Sequence, residues 1–252
     1  MAERTIFRIG GDDRADFLQG LVTNDVRKLD RGLVYAALLT PQGKYLADFF
    51  LVPGEDAILL DVAAPLADGL ERRLGMYRLR AKVAIDRAEA AISRGLGDAP
   101  QGAFADPRHP ALGWRHYGGQ PSETQVDWDT IRVEHLIPES GIELLPDETY
   151  PLEAGFERLN GVDFRKGCYV GQEVSARMKH KTELRKGLFQ VAVEGNAPVG
   201  SPIVTGDRPA GTLFTQSGGR AIAYLRLDRA SGPMRSGDAT VRFEGAEAQA
   251  RS

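Results

Sequence analysis

The sequence predicts an α+β protein that ends in a small β-barrel. Three observations carry this. The N-terminal third alternates short apolar runs with two helical patterns, separated by Gly, Pro and Asp turns. The tail after Gly187 holds only short strand candidates. Across 252 residues, 29 glycines and 14 prolines favour many short strands over long helices.

The elements follow in order. Residues 5–9 read as a strand. Gly11-Asp12-Asp13 then opens a helix: acids suit a helix N-terminus, and Phe17, Leu18 and Leu21 form an apolar stripe. Thr23-Asn24-Asp25 ends it. Residues 33–39 are apolar and strand-like. Pro41-Gln42-Gly43 is a tight turn, and residues 45–52 run back as a second strand. Pro53-Gly54 turns the chain into a third strand at 57–62. Pro65 starts a helix in the first-turn position that proline tolerates, with Leu66, Leu70, Leu74 and Tyr77 at helical spacing. Residues 83–85 return as a strand. This order gives an antiparallel sheet with helices on one face.

Residues 95–121 are rich in Gly, Pro, Asp and Arg and read as a connection or the edge of a small subdomain. Residues 128–137 predict a helix, ended by Pro138-Glu139-Ser140-Gly141, and 146–155 are irregular and acidic. Strands are expected at 188–193, 202–204, 211–214, 221–227 and 239–243. The expected division is 1–95, an α+β subdomain; 96–186, a central segment of which part returns to the first; and 187–252, the barrel.

Composition excludes several functions. A formal net charge of -3 gives no global basis for nucleic-acid binding. No apolar run approaches the roughly 18 residues of a membrane helix. The start, MAERTIFRIGGDD, lacks the apolar stretch of a secretory signal. A cytoplasmic protein with no nucleic-acid or membrane partner is expected. His109, His116, His135 and His180 show no metal-ligand spacing. GxSxG, P-loop and GxGxxG patterns are missing, so hydrolase, kinase and dehydrogenase readings lack support. One cysteine permits no internal disulfide and no CxxC zinc site. It also permits no self-contained iron–sulfur cluster, which takes about four thiolates.

That cysteine is Cys168, in KGCYVGQEV. A lone cysteine is ordinarily a small buried hydrophobe. Here Gly167 and Gly171 permit backbone shapes other residues resist, and Arg165 and Lys166 would favour the reactive thiolate. The setting suits a working thiol. From Arg165 to Gly187 the cations are Arg165, Lys166, Arg177, Lys179, Lys181, Arg185 and Lys186, against Glu173 and Glu183. Such a run is a solvated face, a site for a polycarboxylate such as a folate glutamyl tail, or a dock for an acidic partner. In TIRVEHL, Arg132 and Glu134 share a face on a strand but not on a helix. A buried Glu134 would offer a carboxylate fork to a pterin-like ring; the plainer reading is a surface ion pair.

KGCYVGQE closely resembles the signature of the YgfZ family, folate-binding relatives of the glycine-cleavage T protein. FLQGLVTNDV at 17–26, LLTPQGKYLADFFLV at 38–52, TIRVEHLIPESGIEL at 130–144 and YPLEAGFERLNGVDFRKGCYVGQEV at 150–174 resemble other parts of that family in the same order. The resemblance covers roughly residues 5–190. It implies a T-protein-like ring of three small subdomains with a central folate pocket. It also implies a tetrahydrofolate-linked role in iron–sulfur cluster assembly or repair; mitochondrial counterparts act late in building four-iron clusters, with A-type carrier proteins. Cys168 takes the place of the family's functional cysteine, among Lys166, Gly167, Tyr169, Gly171, Gln172 and Glu173. It would serve as a ligand to a cluster shared with a carrier, or as a redox-active nucleophile. Glu134 resembles a pterin-contacting Glu, and Arg185 a basic residue facing the folate tail. T proteins carry an Asp-Asp pair where this chain has Ala47-Asp48. The lost acid argues against the alternative, a tetrahydrofolate-dependent aminomethyl or one-carbon transferase, while leaving Asp48 as a folate contact.

Overall fold

A computed structural model describes residues 3–118, 125–180 and 185–245. The chain forms two compact units. The first comprises Met1–Gln125, Pro146–Pro151 and Phe156–Arg177, the second Val126–Leu145, Leu152–Gly155 and Met178–Ser252.

The first unit is built on five antiparallel strands: β1 (Arg4–Gly10), β2 (Val34–Leu39), β3 (Tyr45–Pro53), β4 (Ala57–Ala63) and β5 (Ala84–Ala88), in the order β2-β3-β4-β1-β5. Two helices, α1 (Arg14–Gln19) and α2 (Ala64–Arg78), and a 3₁₀ turn at Val26–Arg31 lie against one face. Strand periodicity explains the core there. Alternate residues Ala47, Phe49 and Leu51 of β3 meet Leu18 and Val22 from the α1 side and Leu70 and Leu74 from α2.

The opposite face is covered as well, so β2 is buried throughout. Tyr35 stacks on Phe156 at 5.3 Å and lies 5.4 Å from Phe50. The Arg115 guanidinium sits 4.0 Å over the Phe50 ring. Arg115 comes from a second, three-stranded sheet formed by β6 (Ile92–Gly95), β7 (Phe104–Ala105) and β8 (Trp114–Tyr117), in the order β6-β8-β7. Of the two readings for 95–121, a connection or the edge of a small subdomain, the paired strands fit the second. Its strands are too short and too polar to show a period of two. Pro121 lies outside the described residues.

The second unit holds a closed barrel of β9 (Lys186–Glu194), β10 (Ser201–Thr205), β11 (Arg208–Ser217), β12 (Arg220–Arg226), β13 (Met234–Ser236) and β14 (Ala239–Arg242), in the order β10-β11-β12-β9-β14-β13. Five of these strands are legible in the sequence; three-residue β13 is not. Closure removes the open edges that short strands otherwise leave exposed. Helix α3 (Trp128–Glu134) is fastened to the barrel by a buried ion pair. The Arg132 guanidinium donates to Glu143 at 2.5 Å, and the Thr215 hydroxyl of β11 donates to the same carboxylate at 2.6 Å. A last helix, α4 (Gln172–His180), follows the cysteine motif and went unread in the sequence. No helix among the described residues is long and apolar enough to cross a membrane.

Candidate functional site

The cysteine motif is a turn pinned at both ends. Lys166 and Tyr169 are buried, while Gly167 and Cys168 between them are exposed. The thiol is therefore not a packing group.

The upstream pin is a lattice of hydrogen bonds and one ion pair between residues 160–166 and residues 19–28. The Asp163 amide donates to Thr23 O at 3.0 Å, and the Thr23 hydroxyl donates to Gly161 O at 2.6 Å. The Asn24 amide donates to Asn160 O at 2.6 Å, and Lys28 pairs with Asp163 at 2.7 Å. The Lys166 ammonium donates to Gln19 O and, at 2.7 Å, to Val22 O. These are carbonyls left open at and just beyond the end of α1, where a cation is favoured. The Gln19 side chain returns a bond to Lys166 O at 3.1 Å. Two segments that carry the family resemblance, 17–26 and 150–174, are thus stapled together.

The same geometry fixes Lys166 two residues before the thiol. Its charge is committed to backbone carbonyls, and it lies 5.0 Å over the Tyr169 ring. Burial pulls the ammonium from 10.5 down to about 8, against Asp25, Asp163 and Cys168, which favour its charge. The unfolded chain thus holds the extra proton between about pH 8 and 10.5. Relative to Lys166→Met, the wild type gains stability as pH rises through that window, by on the order of 1–2 kcal/mol after screening. Thermal melts of both proteins across the window check the sign.

The downstream pin is a backbone contact with the β2–β3 turn. Gly171 has φ +83°, and a Cβ there would stand 2.5 Å from Thr40 O. Gly43, in the turn, has φ +75° and faces Val174. Gly167 also has a positive φ, +101°, but open space around it. Alanine at 167 meets strain alone and should cost about 1–2 kcal/mol. Alanine at 171 adds a backbone clash and should cost about 2–4 kcal/mol. Denaturant melts of the two variants test that order.

Tyr169 places its hydroxyl in the interior with no well-formed hydrogen bond, and burial raises its pKa. Val170 packs on the helix-side core. Gln172 and Glu173 open α4; the exposed Glu173 carboxylate suits the positive end of a helix. Among the described residues no group of three or more His, Cys, Asp or Glu side chains is placed to hold a metal. A cleft of about 600 Å³ has Lys166 in its wall, with Gln19, Arg14 and Arg27.

The folate candidates lie in different settings. Asp48 is only 4% exposed, and both its oxygens are engaged: Tyr35 donates at 3.0 Å and Tyr45 at 2.6 Å. It holds two buried phenols. Neighbouring Ala47 packs into the helix-side core. Glu134 ends a helix, not a strand, and is exposed; buried Arg132 turns to Glu143 instead. Arg185 is exposed just before β9. Both belong to the second unit. Lys181 and Glu183 of the cationic run lie outside the described residues. Sequence reasoning missed Gln19 and Asp163, whose partners are distant along the chain, and the two tyrosines on Asp48, 13 and three residues away.

Comparison with known proteins turns this geometry into a family assignment. The chain is 30% identical to the mouse mitochondrial iron–sulfur cluster assembly factor IBA57, over 92% of its own length and 78% of the relative's. The chain belongs to the IBA57 family. The human IBA57 protein is 29% identical over 92% of this chain and 78% of its own. A Neurospora crassa homologue is 31% identical over 79% of this chain, which spans 54% of that longer relative. Residues 185–248 match the CAF17 C-terminal β-barrel domain. The fold is that of the glycine-cleavage T protein: the Bartonella henselae aminomethyltransferase superposes with a TM-score of 0.73 at 14% identity, over 95% of this chain and 82% of that one. The cytoplasmic expectation is overturned, because the IBA57 relatives from mouse, human and N. crassa are all named mitochondrial. The reading had rested on an N-terminus without an apolar stretch, which bears on secretion only.

Proposed function

We propose that this chain is a folate-linked accessory factor in iron–sulfur cluster assembly or repair, and that Cys168 gives one thiolate to a cluster shared with an A-type carrier. The cluster is cargo. The observation that carries this is an exposed thiol on a turn pinned by buried residues, in a member of the IBA57 family. One soft thiolate suits iron but holds no cluster alone, so the other ligands come from the carrier or a small molecule. The pinned turn fixes the thiol's position and limits the entropy lost on docking.

Folate is the second element, suggested by the T-protein fold. Exposed Glu134 and Arg185 are the residues that would hold it. Asp48 is the weaker candidate, since it is buried and each of its oxygens already accepts from a phenol, Tyr35 or Tyr45. The same facts weigh against one-carbon transfer: position 47 is a core alanine, and the carboxylate at 48 is buried against two phenols.

The test is anaerobic mixing of the chain with a cluster-loaded A-type carrier, with and without tetrahydrofolate, followed by absorption spectroscopy and size exclusion. A complex that carries the cluster chromophore is expected. If carrier and chain elute separately and the chromophore stays with the carrier, the shared-ligand role is wrong.

A further inference from the structure

The end of α2 presents an arrangement that nothing among the described residues explains. Leu79 is 88% exposed and Met76 69%. Leu79 has φ 44° and ψ −108°, and the Ala81 amide donates to Arg78 O at 2.8 Å. This is a tight turn with a leucine in the geometry of the first central position of a type II′ turn, a place glycine normally takes. The residue bears backbone strain and recovers no burial.

Close to the two apolar residues in sequence are Arg72, Arg78, Arg80 and Lys82, all exposed, and the Asp13 carboxylate accepts from the Lys82 amide. None has an ion pair among the described residues. The acids on the same helix, Asp68 and Glu71, are paired with Arg87. A chain of net charge -3 thus concentrates free cations close in sequence to a protruding Leu and Met.

We propose that this helix end is a peripheral contact with an anionic lipid surface. Leu79 and Met76 enter the interfacial layer, and the four cations meet headgroup phosphates. Charge complementarity selects an anionic partner, and shape selects lipid over protein. The apolar groups stand proud on a turn, so a protein partner would need a matching pocket and roughly 1,000 Å² of further contact. A fluid bilayer needs neither. The expectation of no membrane partner rests on the lack of a spanning helix and does not bear on a surface contact.

The experiment is co-sedimentation of the full chain with vesicles of phosphatidylcholine, alone or with about 30 mol % phosphatidylglycerol, at two salt concentrations. Binding to the anionic vesicles should exceed binding to the neutral ones by about tenfold or more and weaken with salt. Arg72→Gln with Arg80→Gln should lower it by about tenfold. Leu79→Gly separates binding from folding. It relieves the positive φ and should raise the melting temperature while lowering vesicle binding. Equal binding to both vesicle types, or no binding, overturns the proposal. Retention on immobilised polyglutamate that Leu79→Gly leaves unchanged, without vesicle binding, overturns it in favour of an acidic protein.

Discussion

Cys168→Ser is expected to melt within about 2 °C of the wild type and to abolish support of iron–sulfur enzymes in cells that depend on this chain. The first half follows from position. Cys168 is exposed, and no hydrogen bond or hydrophobic contact of the turn runs through its sulfur. A surface exchange of that kind stays within about 0.5 kcal/mol. The fold is held by neighbours instead: Lys166 on the carbonyls of Gln19 and Val22, Tyr169 in the interior, and Gly171 against Thr40. The second half follows from chemistry, because a serine hydroxyl is too hard and too weakly acidic to replace a thiolate on iron. Activity of a cluster-dependent enzyme in cells carrying only the serine variant, alongside a melt of the purified protein, decides both. Normal enzyme activity would make the thiol dispensable. A large loss of stability would make it structural, against its exposure.

The motif was legible because its chemistry is local. Two glycines flank a thiol, and the permitted backbone geometry can be read from six residues. Its anchorage was not legible, since Lys166 meets residues more than 140 positions earlier and Gly171 meets a hairpin turn 130 positions away. Sequence spacing says nothing of such pairs. Strands β1 to β5 were readable because turn residues punctuate them and their apolar runs are long. Helix α4 was not: QEVSARMKH carries only Val174 and Met178 as large apolar groups, too few for a helical stripe. The setting of Asp48 was hidden for a related reason. The change from an Asp pair to Ala47-Asp48 was visible, but the phenols that close over Asp48 come from β2 and from three residues upstream. Strand pairing brings Tyr35 of β2 to the carboxylate that Tyr45 already neighbours on β3.

Asp61→Asn is expected to cost about 3–5 kcal/mol, a fall of roughly 10 °C or more in melting temperature. Asp61 is fully buried on β4, and three donors converge on its carboxylate: Arg4 at 2.6 Å, Arg115 at 2.8 Å and the Tyr117 hydroxyl at 2.7 Å. Burial alone would push the carboxyl up. The Arg4 and Arg115 guanidiniums outweigh it and hold the group below the ordinary carboxylate range. The amide keeps the shape but removes the charge, leaving Arg115 buried with Asp106, 3.7 Å away, as its one carboxylate partner among the described residues. The cost is that of an uncompensated buried cation rather than the net worth of the pair. Replacing both partners, Asp61→Leu with Arg115→Met, should therefore cost less than Asp61→Asn alone. The pH dependence has a definite sign. Because the folded carboxyl is depressed, its contribution is complete above the unfolded value near 4 and drains away as pH falls through the folded value. Wild type should lose stability relative to Asp61→Asn across that acid window, and the two melting curves should converge. Parallel curves down to the acid limit would mean that Asp61 is not the charged centre of the interface between the five-stranded and three-stranded sheets.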